Sequence, residues 1–398
     1  MWSPRLWALL LVLSGNMLMD ALEVSTVVIA LPSIGGDLRL TPSQTSWFMT
    51  GFALGFGGFI LLGRRMTDLL GRRRVYLWAL LVFAVASLVG GLAPDGGVLA
   101  ASRVVKGICV ALTAPTGLAI IAGTFPEGSS RNRAVSVYSL FGASGFSLGL
   151  LLSGAFTLLS WRWSLLFSAP VAALLFTVGL RFIPDDRAGA VPAGPRAPAP
   201  STPPAGSGAS ARLLRSAAGA AAMNGPYWGF LLLATFEMQS ERGWSPLATG
   251  LALLPTSLPL AVSALYSGRL VSRFGPGGLI AAGSVATLLG YAWYLGRDPH
   301  RQYLTDVLPT VVLIGAGFVL SFAALHIQAV TGVPPSHQGI VGGIYQTSVQ
   351  IGGAVMLVAV AAVIAPWSHR PALIAINLAA LIGVVVAAAG LTARQPRH

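Results

Sequence analysis

One cysteine, one lysine and twelve acidic side chains occur among 398 residues, and charged residues of every kind make up only 9% of the chain. The lone Cys109 excludes an internal disulfide and any cysteine-based metal cluster. So little charge, against an apolar share of 55%, cannot cover a water-soluble surface, where about a quarter of residues are ordinarily charged. Scattered His, Asp and Glu show no metal-ligand spacing, no G-x-x-x-x-G-K cradle for phosphate occurs, and no Ser or Cys stands in a nucleophile motif. No metal, no cofactor and no enzymatic activity is expected. The formal net charge of +13 is not gathered into a basic stripe with interleaved aromatics, so nucleic acid is not an expected partner. Arginine in place of lysine, with abundant alanine and glycine, suggests a GC-rich bacterial genome.

What the chain has instead is long apolar runs. Each is roughly 17 to 27 residues, enough to cross a hydrocarbon core at about 1.5 Å per helical residue. Strict apolar/polar alternation is missing, which favours helices over a membrane barrel. The predicted spans are 6–31, 46–62, 75–92, 97–124, 134–159, 164–183, 223–238, 247–270, 279–295, 307–330, 339–365 and 372–391. The first exceeds a signal-peptide core and lacks a small-residue cleavage site, so it reads as a retained helix. Residues 184–220, rich in Pro, Ala, Gly and Ser, read as a flexible cytoplasmic linker between six-span halves at 1–183 and 221–398. With both termini in the cytoplasm, about 17 cations fall inside and about 6 outside, in keeping with the positive-inside rule.

An internal echo supports two halves. GRRMTDLLGRRR at 63–74 follows the second span and GRLVSRFG at 268–275 follows the eighth, with Gly71 and Gly275 in register 204 positions apart. Parallel repeats related by an axis along the membrane normal place a substrate site near the midplane. The expected fold class is therefore an all-α membrane protein of about twelve transmembrane helices in two six-helix bundles with a central cavity.

Ionisable residues inside these runs cost at least about 2.5 to 3.5 kcal/mol each at the bilayer centre and so need a partner or a purpose. Asp20 and Glu23, three apart, share a face of the first span; Arg103 and Lys106 share one in the fourth, at comparable depth. Opposite charges are expected to pair across the bundle. Such a pair either fixes two helices statically or takes part in transport.

Four stretches carry a resemblance: Leu22-Glu23-Val24-Ser25 leading to Ala30-Leu31-Pro32, Asp68-Leu69-Leu70-Gly71-Arg72-Arg73-Arg74, Arg103-Val104-Val105-Lys106-Gly107, and Trp161-Arg162-Trp163. Together they resemble the major facilitator superfamily and, more narrowly, its multidrug proton-antiporter branch in a twelve-span form. The resemblance implies that Glu23, replacing the commoner Asp, and Arg103 couple protonation to substrate binding, with Asp20 and Lys106 beside them. It also implies a cytoplasmic latch at Gly63, Asp68, Gly71, Arg72 and Arg73, although Arg64 stands where the family has glycine. The antiporter hallmark of the fifth span is a Gly-Pro pair followed by Gly-Gly. Here Gly145, Gly149 and Gly154 remain as packing glycines, while Leu150 replaces the proline and Ser153 a glycine, removing the kink.

In the second half, His326, Tyr345, Gln346 and Gln350 are candidates to line the cavity or to join helices. Glu237, Gln239 and Glu241 read as exposed loop-edge groups. The expected function is proton-coupled efflux of an amphiphilic or cationic small organic compound by a monomer in a bacterial inner membrane. A proton-linked importer or facilitator, or a non-transporting sensor, are the alternatives.

Overall fold

The structure, a computed structural model, describes residues 2–185, 207–259, 267–297, 302–364 and 369–392. Every regular element among them is helical. The helices begin and end where the local chemistry dictates. Ser3 caps α1 (Pro4–Leu38), its hydroxyl accepting from the Leu6 amide, with Pro4 at the first helical position where its missing N–H costs nothing. Thr41 and Gln44 form a reciprocal capping box at α2 (Pro42–Leu70). After α3 (Arg72–Gly91), the Asp95 carboxylate accepts from the Gly97 and Val98 amides to start α4 (Gly96–Thr124). Then follow α5 (Ser129–Thr157), the short α6 (Trp163–Leu166) and α7 (Ser168–Phe182).

The second series comprises α8 (Ser207–Phe236), continued by a π-turn at Glu237–Glu241, then α9 (Pro246–Leu253) and α10 (Ser267–Leu295). A second π-turn, Tyr303–Val307, leads into α11 (Leu308–Val330), followed by α12 (Pro335–Val363) and α13 (Arg370–Thr392). Among the described residues, ten helical segments are long and apolar enough to cross a membrane. Of the other two expected spans, the seventh is α8, whose stretch Asn224 to Trp228 lowers its hydropathy. The eighth passes through residues 260–266, outside the described residues.

The expected linker at 184–220 is corrected at its carboxyl end, because α8 already begins at Ser207. The alanine-rich run 217–222 is a strong helix former, and Leu213, Ser216 and Ala220 are buried against the second core. Residues 186–206 of that linker lie outside the described residues.

The chain divides into two compact units: Met1–Ala197 with Arg242–Leu251, and Pro198–Glu241 with Ala252–His398. The boundary is thus not one cut in the sequence. The segment 242–251 joins the first unit because Leu247 packs on Gly154 and Gly250 on the Leu150 carbonyl. Within the first unit α1 lies along α5 and α3 along α4; within the second, α8 lies along α12 and α10 along α11. The repeat is sharpest at the two glycines aligned in the sequence. Gly71 (φ 87°, ψ 148°) separates α2 from α3, and Gly275 (φ 69°, ψ 156°) breaks α10. Side-chain-bearing residues rarely adopt this backbone conformation.

Close backbone approach sets the distance between α2 and α4. A Cβ on Gly107 would run into the Phe52 carbonyl and lie 2.9 Å from the Phe56 nitrogen, and one on Gly55 would strike the Val104 carbonyl. Gly107→Leu is therefore expected to abolish the folded, monodisperse protein in detergent, since overpacking against backbone costs about 1–3 kcal/mol or more. Gly58→Ala, where an added Cβ meets nothing within 4 Å, should leave the elution profile unchanged.

Candidate functional site

The acidic and basic pairs of α1 and α4 meet in the interior of the first unit. Glu23, Arg103 and Lys106 are 0%, 1% and 0% exposed. Arg103 Nη1 donates to Glu23 Oε2 at 2.6 Å, and Lys106 Nζ lies 2.6 Å from Glu23 Oε1, so each carboxylate oxygen faces its own cation. The remaining donors are also engaged. Arg103 Nη2 donates to the Glu23 carbonyl at 3.0 Å and Nε to the Phe48 carbonyl at 3.1 Å. Lys106 Nζ lies 3.3 Å from Ser168 Oγ of α7. The guanidinium sits 4.5 Å from the centre of the Phe52 ring and the ammonium 4.7 Å from that of Phe83. Removing one partner from so buried a network strands a charge at a cost of about 3–5 kcal/mol.

The packing glycines deliver these side chains. The fit of α4 against α2 at Gly107 and Gly55 brings the Phe48 carbonyl and the Phe52 ring onto Arg103. On the other side of α1, Gly145 sits 2.6 Å, by its would-be Cβ, from the Leu18 carbonyl, and Gly149 2.8 Å from that of Leu22. These two glycines of α5 thus face the turns of α1 that bear Asp20 and Glu23. Ser153, standing where the antiporter pattern has glycine, donates to the Thr26 carbonyl, and Ser25 donates to the Phe146 carbonyl at 2.8 Å. Hydroxyl bonds tie α1 to α5 here. Gly154 faces away from this contact, 2.8 Å by its would-be Cβ from Leu247 Cα.

Asp20 departs from the expected pairing. It is 3% exposed, yet no described cation lies within ion-pair distance. Its Oδ2 accepts from Asn16 Nδ2 at 3.0 Å and from Thr113 Oγ1 at 2.8 Å, while Oδ1 has no protein hydrogen-bond partner. The physical reason is that a single carboxylate of α1, Glu23, occupies the reach of both cations.

The latch residues are divided. Gly63 packs near the Ala111 carbonyl, 3.1 Å from an added Cβ, and Gly71 makes the turn. Arg72 Nη1 donates to the Ala119 carbonyl at 3.2 Å. Arg73 pairs with Asp185 and donates to the Leu180 carbonyl at 2.6 Å, where cations favour the carboxyl ends of helices. Asp68 is exposed and engages none of the described residues. The Trp161-Arg162-Trp163 motif has a tying role. Trp161 Nε1 donates to Asp37 Oδ2 at 2.9 Å, and Arg162 Nη1 donates to the Ala93 carbonyl at 2.8 Å.

In the second unit the polar candidates come together only in part. Tyr345 is buried, donates to the Phe322 carbonyl at 3.0 Å and meets the exposed His326 edge-on at 5.1 Å. Gln350 is buried and Gln346 half-buried on α12. The reading of Glu237 as an exposed loop-edge group is corrected. It is 2% exposed and accepts from the Tyr294 hydroxyl at 2.9 Å. The sequence signal was available, since Glu237 follows the apolar run 230–236 with no turn residue between. Glu241, by contrast, is at the surface and lies 2.7 Å from His369 Nε2.

Comparison with known proteins follows the same lines. The chain is 33% identical to the puromycin resistance protein pur8 of Streptomyces alboniger, over 88% of this chain and 80% of that protein. It is 31% identical to the cephamycin export protein CmcT of Amycolatopsis lactamdurans, over 83% and 79%. In fold it is similar to the crystal structure of a bacterial homologue of the human lysosomal transporter Spinster, with a TM-score of 0.78, 16% identity and coverage of 98% and 96%. The profile of the Major Facilitator Superfamily matches residues 13–357. The chain belongs to that superfamily and is a multi-pass membrane transporter, not an enzyme.

Proposed function

We propose that the protein exports an amphiphilic, cationic small organic compound in exchange for protons, acting as a monomer in a bacterial inner membrane with both termini in the cytoplasm. The observation that carries this reading is the fully buried Glu23 held between Arg103 and Lys106 at 2.6 Å from each. Ionisable groups at membrane depth mark ion and substrate pathways, because the cost of burying them is otherwise uncompensated. Two relatives whose names specify puromycin resistance and cephamycin export support efflux of an organic compound over uptake of a metabolite.

The chemistry follows from charge. A desolvated site that already holds two cations tolerates only limited further positive charge, so a proton and a cationic substrate exclude each other there. Binding of either shifts the balance between conformations only through that difference in affinity. Alternating exposure of the site to the two sides of the membrane converts the exclusion into exchange.

Everted vesicles with an acidified lumen are expected to accumulate puromycin or ethidium, and a protonophore should abolish the accumulation. Uptake in the opposite sense would indicate symport, and movement of neither compound would overturn the efflux reading. Glu23→Gln should insert normally and lose gradient-driven transport; normal coupled transport by that variant would remove Glu23 from the mechanism. Arg103→Ala should lower transport by about tenfold or more, equivalent to about 1.4 kcal/mol, and by more than Lys106→Ala. Arg103 makes three hydrogen bonds, to the Glu23 side chain, its carbonyl and Phe48, whereas the polar partners of Lys106 are Glu23 and Ser168. Equal losses would dissolve that ranking.

A further inference from the structure

The two carboxyls of α1 sit in different chemical settings. Glu23 is fully committed, one oxygen to each cation, and a proton placed on it would leave Arg103 and Lys106 buried at 1% and 0% exposure with no anion between them. Asp20 is held by two neutral donors, the Asn16 amide and the Thr113 hydroxyl. The titratable groups facing it are Glu23 on its own helix, Tyr76 on α3, Cys109 on α4 and Tyr138 on α5. None of these is a cation.

The hydrogen-bond inventory around Asp20 is short of a donor. Asp20 Oδ1 and Asn16 Oδ1 are buried acceptors without a hydrogen bond of good geometry, and the nearby Tyr76 hydroxyl interacts with the Asn16 side chain, which leaves Asp20 Oδ1 without an oxygen or nitrogen donor. A neutral carboxyl adds the missing hydrogen.

We propose that Asp20 is the group that binds and releases the exchanged proton, while Glu23 stays ionised as the fixed counter-ion of Arg103 and Lys106. This rests on the proton exchange proposed above and assigns its site. On release, the Asp20 O–H bond breaks, the electron pair stays on the carboxylate and the proton passes to water. The charge balance then sets the stoichiometry. With a proton on Asp20 the four side chains sum to +1. With Asp20 ionised and a monovalent organic cation bound, they and the cation again sum to +1. One proton is therefore exchanged per monovalent cation, and the buried charge is the same at both ends of the cycle.

Proteoliposomes test the assignment with puromycin as the probe, comparing uptake driven by a pH gradient with equilibrium exchange at matched pH. Asp20→Asn should reduce the ratio of driven uptake to exchange by about tenfold or more and remove the pH dependence of whatever exchange remains. Infrared difference spectra on adding puromycin should show loss of a protonated-carboxyl band in the wild type and no such band in Asp20→Asn. Thr113→Val provides a separate check that leaves the carboxyl in place. It withdraws a donor that favours the ionised form, so the midpoint of pH-dependent transport should move to more alkaline pH. The proposal is overturned if Asp20→Asn keeps gradient-driven uptake, if the infrared band persists in Asp20→Asn, or if Thr113→Val leaves the midpoint in place. A wild type that moves puromycin without any proton dependence defeats the exchange reading itself, and is distinguished by an intact exchange signal with no infrared band.

Discussion

Two cations and one carboxylate, all but sealed from solvent and each within 2.6 Å of its partner, are the constraint around which the first unit is arranged. Such a group is stable only if no donor is left idle. Arg103 therefore takes the Glu23 and Phe48 carbonyls and lies on the Phe52 ring, and Lys106 takes Ser168 and lies near Phe83. These contacts come from four helices, with Glu23 on α1, Phe48 and Phe52 on α2, Phe83 on α3 and Ser168 on α7. The cluster consequently binds α1, α2, α3, α4 and α7 to one another through ion-pair, hydrogen-bond and cation–ring contacts.

That convergence requires backbones closer than ordinary side chains allow. Gly107 and Gly55 bring α4 onto α2, and Gly145 and Gly149 bring α5 onto α1. Packing of this kind is how helices associate where apolar surface gains nothing by leaving lipid. The loss of the antiporter pattern at Leu150 and Ser153 is met by a different contact, the Ser153 hydroxyl on the Thr26 carbonyl. The helix pair stays joined while the proline kink is absent.

The two units share a plan but not a chemistry. Gly71 and Gly275 adopt nearly the same positive-φ conformation at matching places, and α1 with α5 corresponds to α8 with α12. Charge is concentrated in the first unit. The second is joined by neutral hydrogen bonds such as Asn224 to the Val349 carbonyl and Ser216 to Gln328, with Glu237 its one buried carboxylate among the described residues.

Much of the architecture was legible in the order of residues, because the bilayer imposes a length and a polarity on every crossing helix and forbids unpaired backbone between its faces. Apolar run length, the Gly71 and Gly275 echo and the three-residue spacing of the intramembrane charges are local properties and needed no coordinates. The start of α8 is not legible locally, since Leu213 and Ala220 gain their value only from the core they pack against and Ser216 from its bond to Gln328. The burial of Glu237 is signalled by the apolar run 230–236 before it, whereas its partner Tyr294, 57 positions away, is not. What the sequence determined by itself was that helices cross a membrane and that Asp20, Glu23, Arg103 and Lys106 lie within it. Which carboxyl takes both cations, and which is left to Asn16 and Thr113, was decided by tertiary structure alone. Charge pairing at 2.6 Å depends on the distance and rotation between packed helices, and those are set jointly by glycines on three of them, α2, α4 and α5.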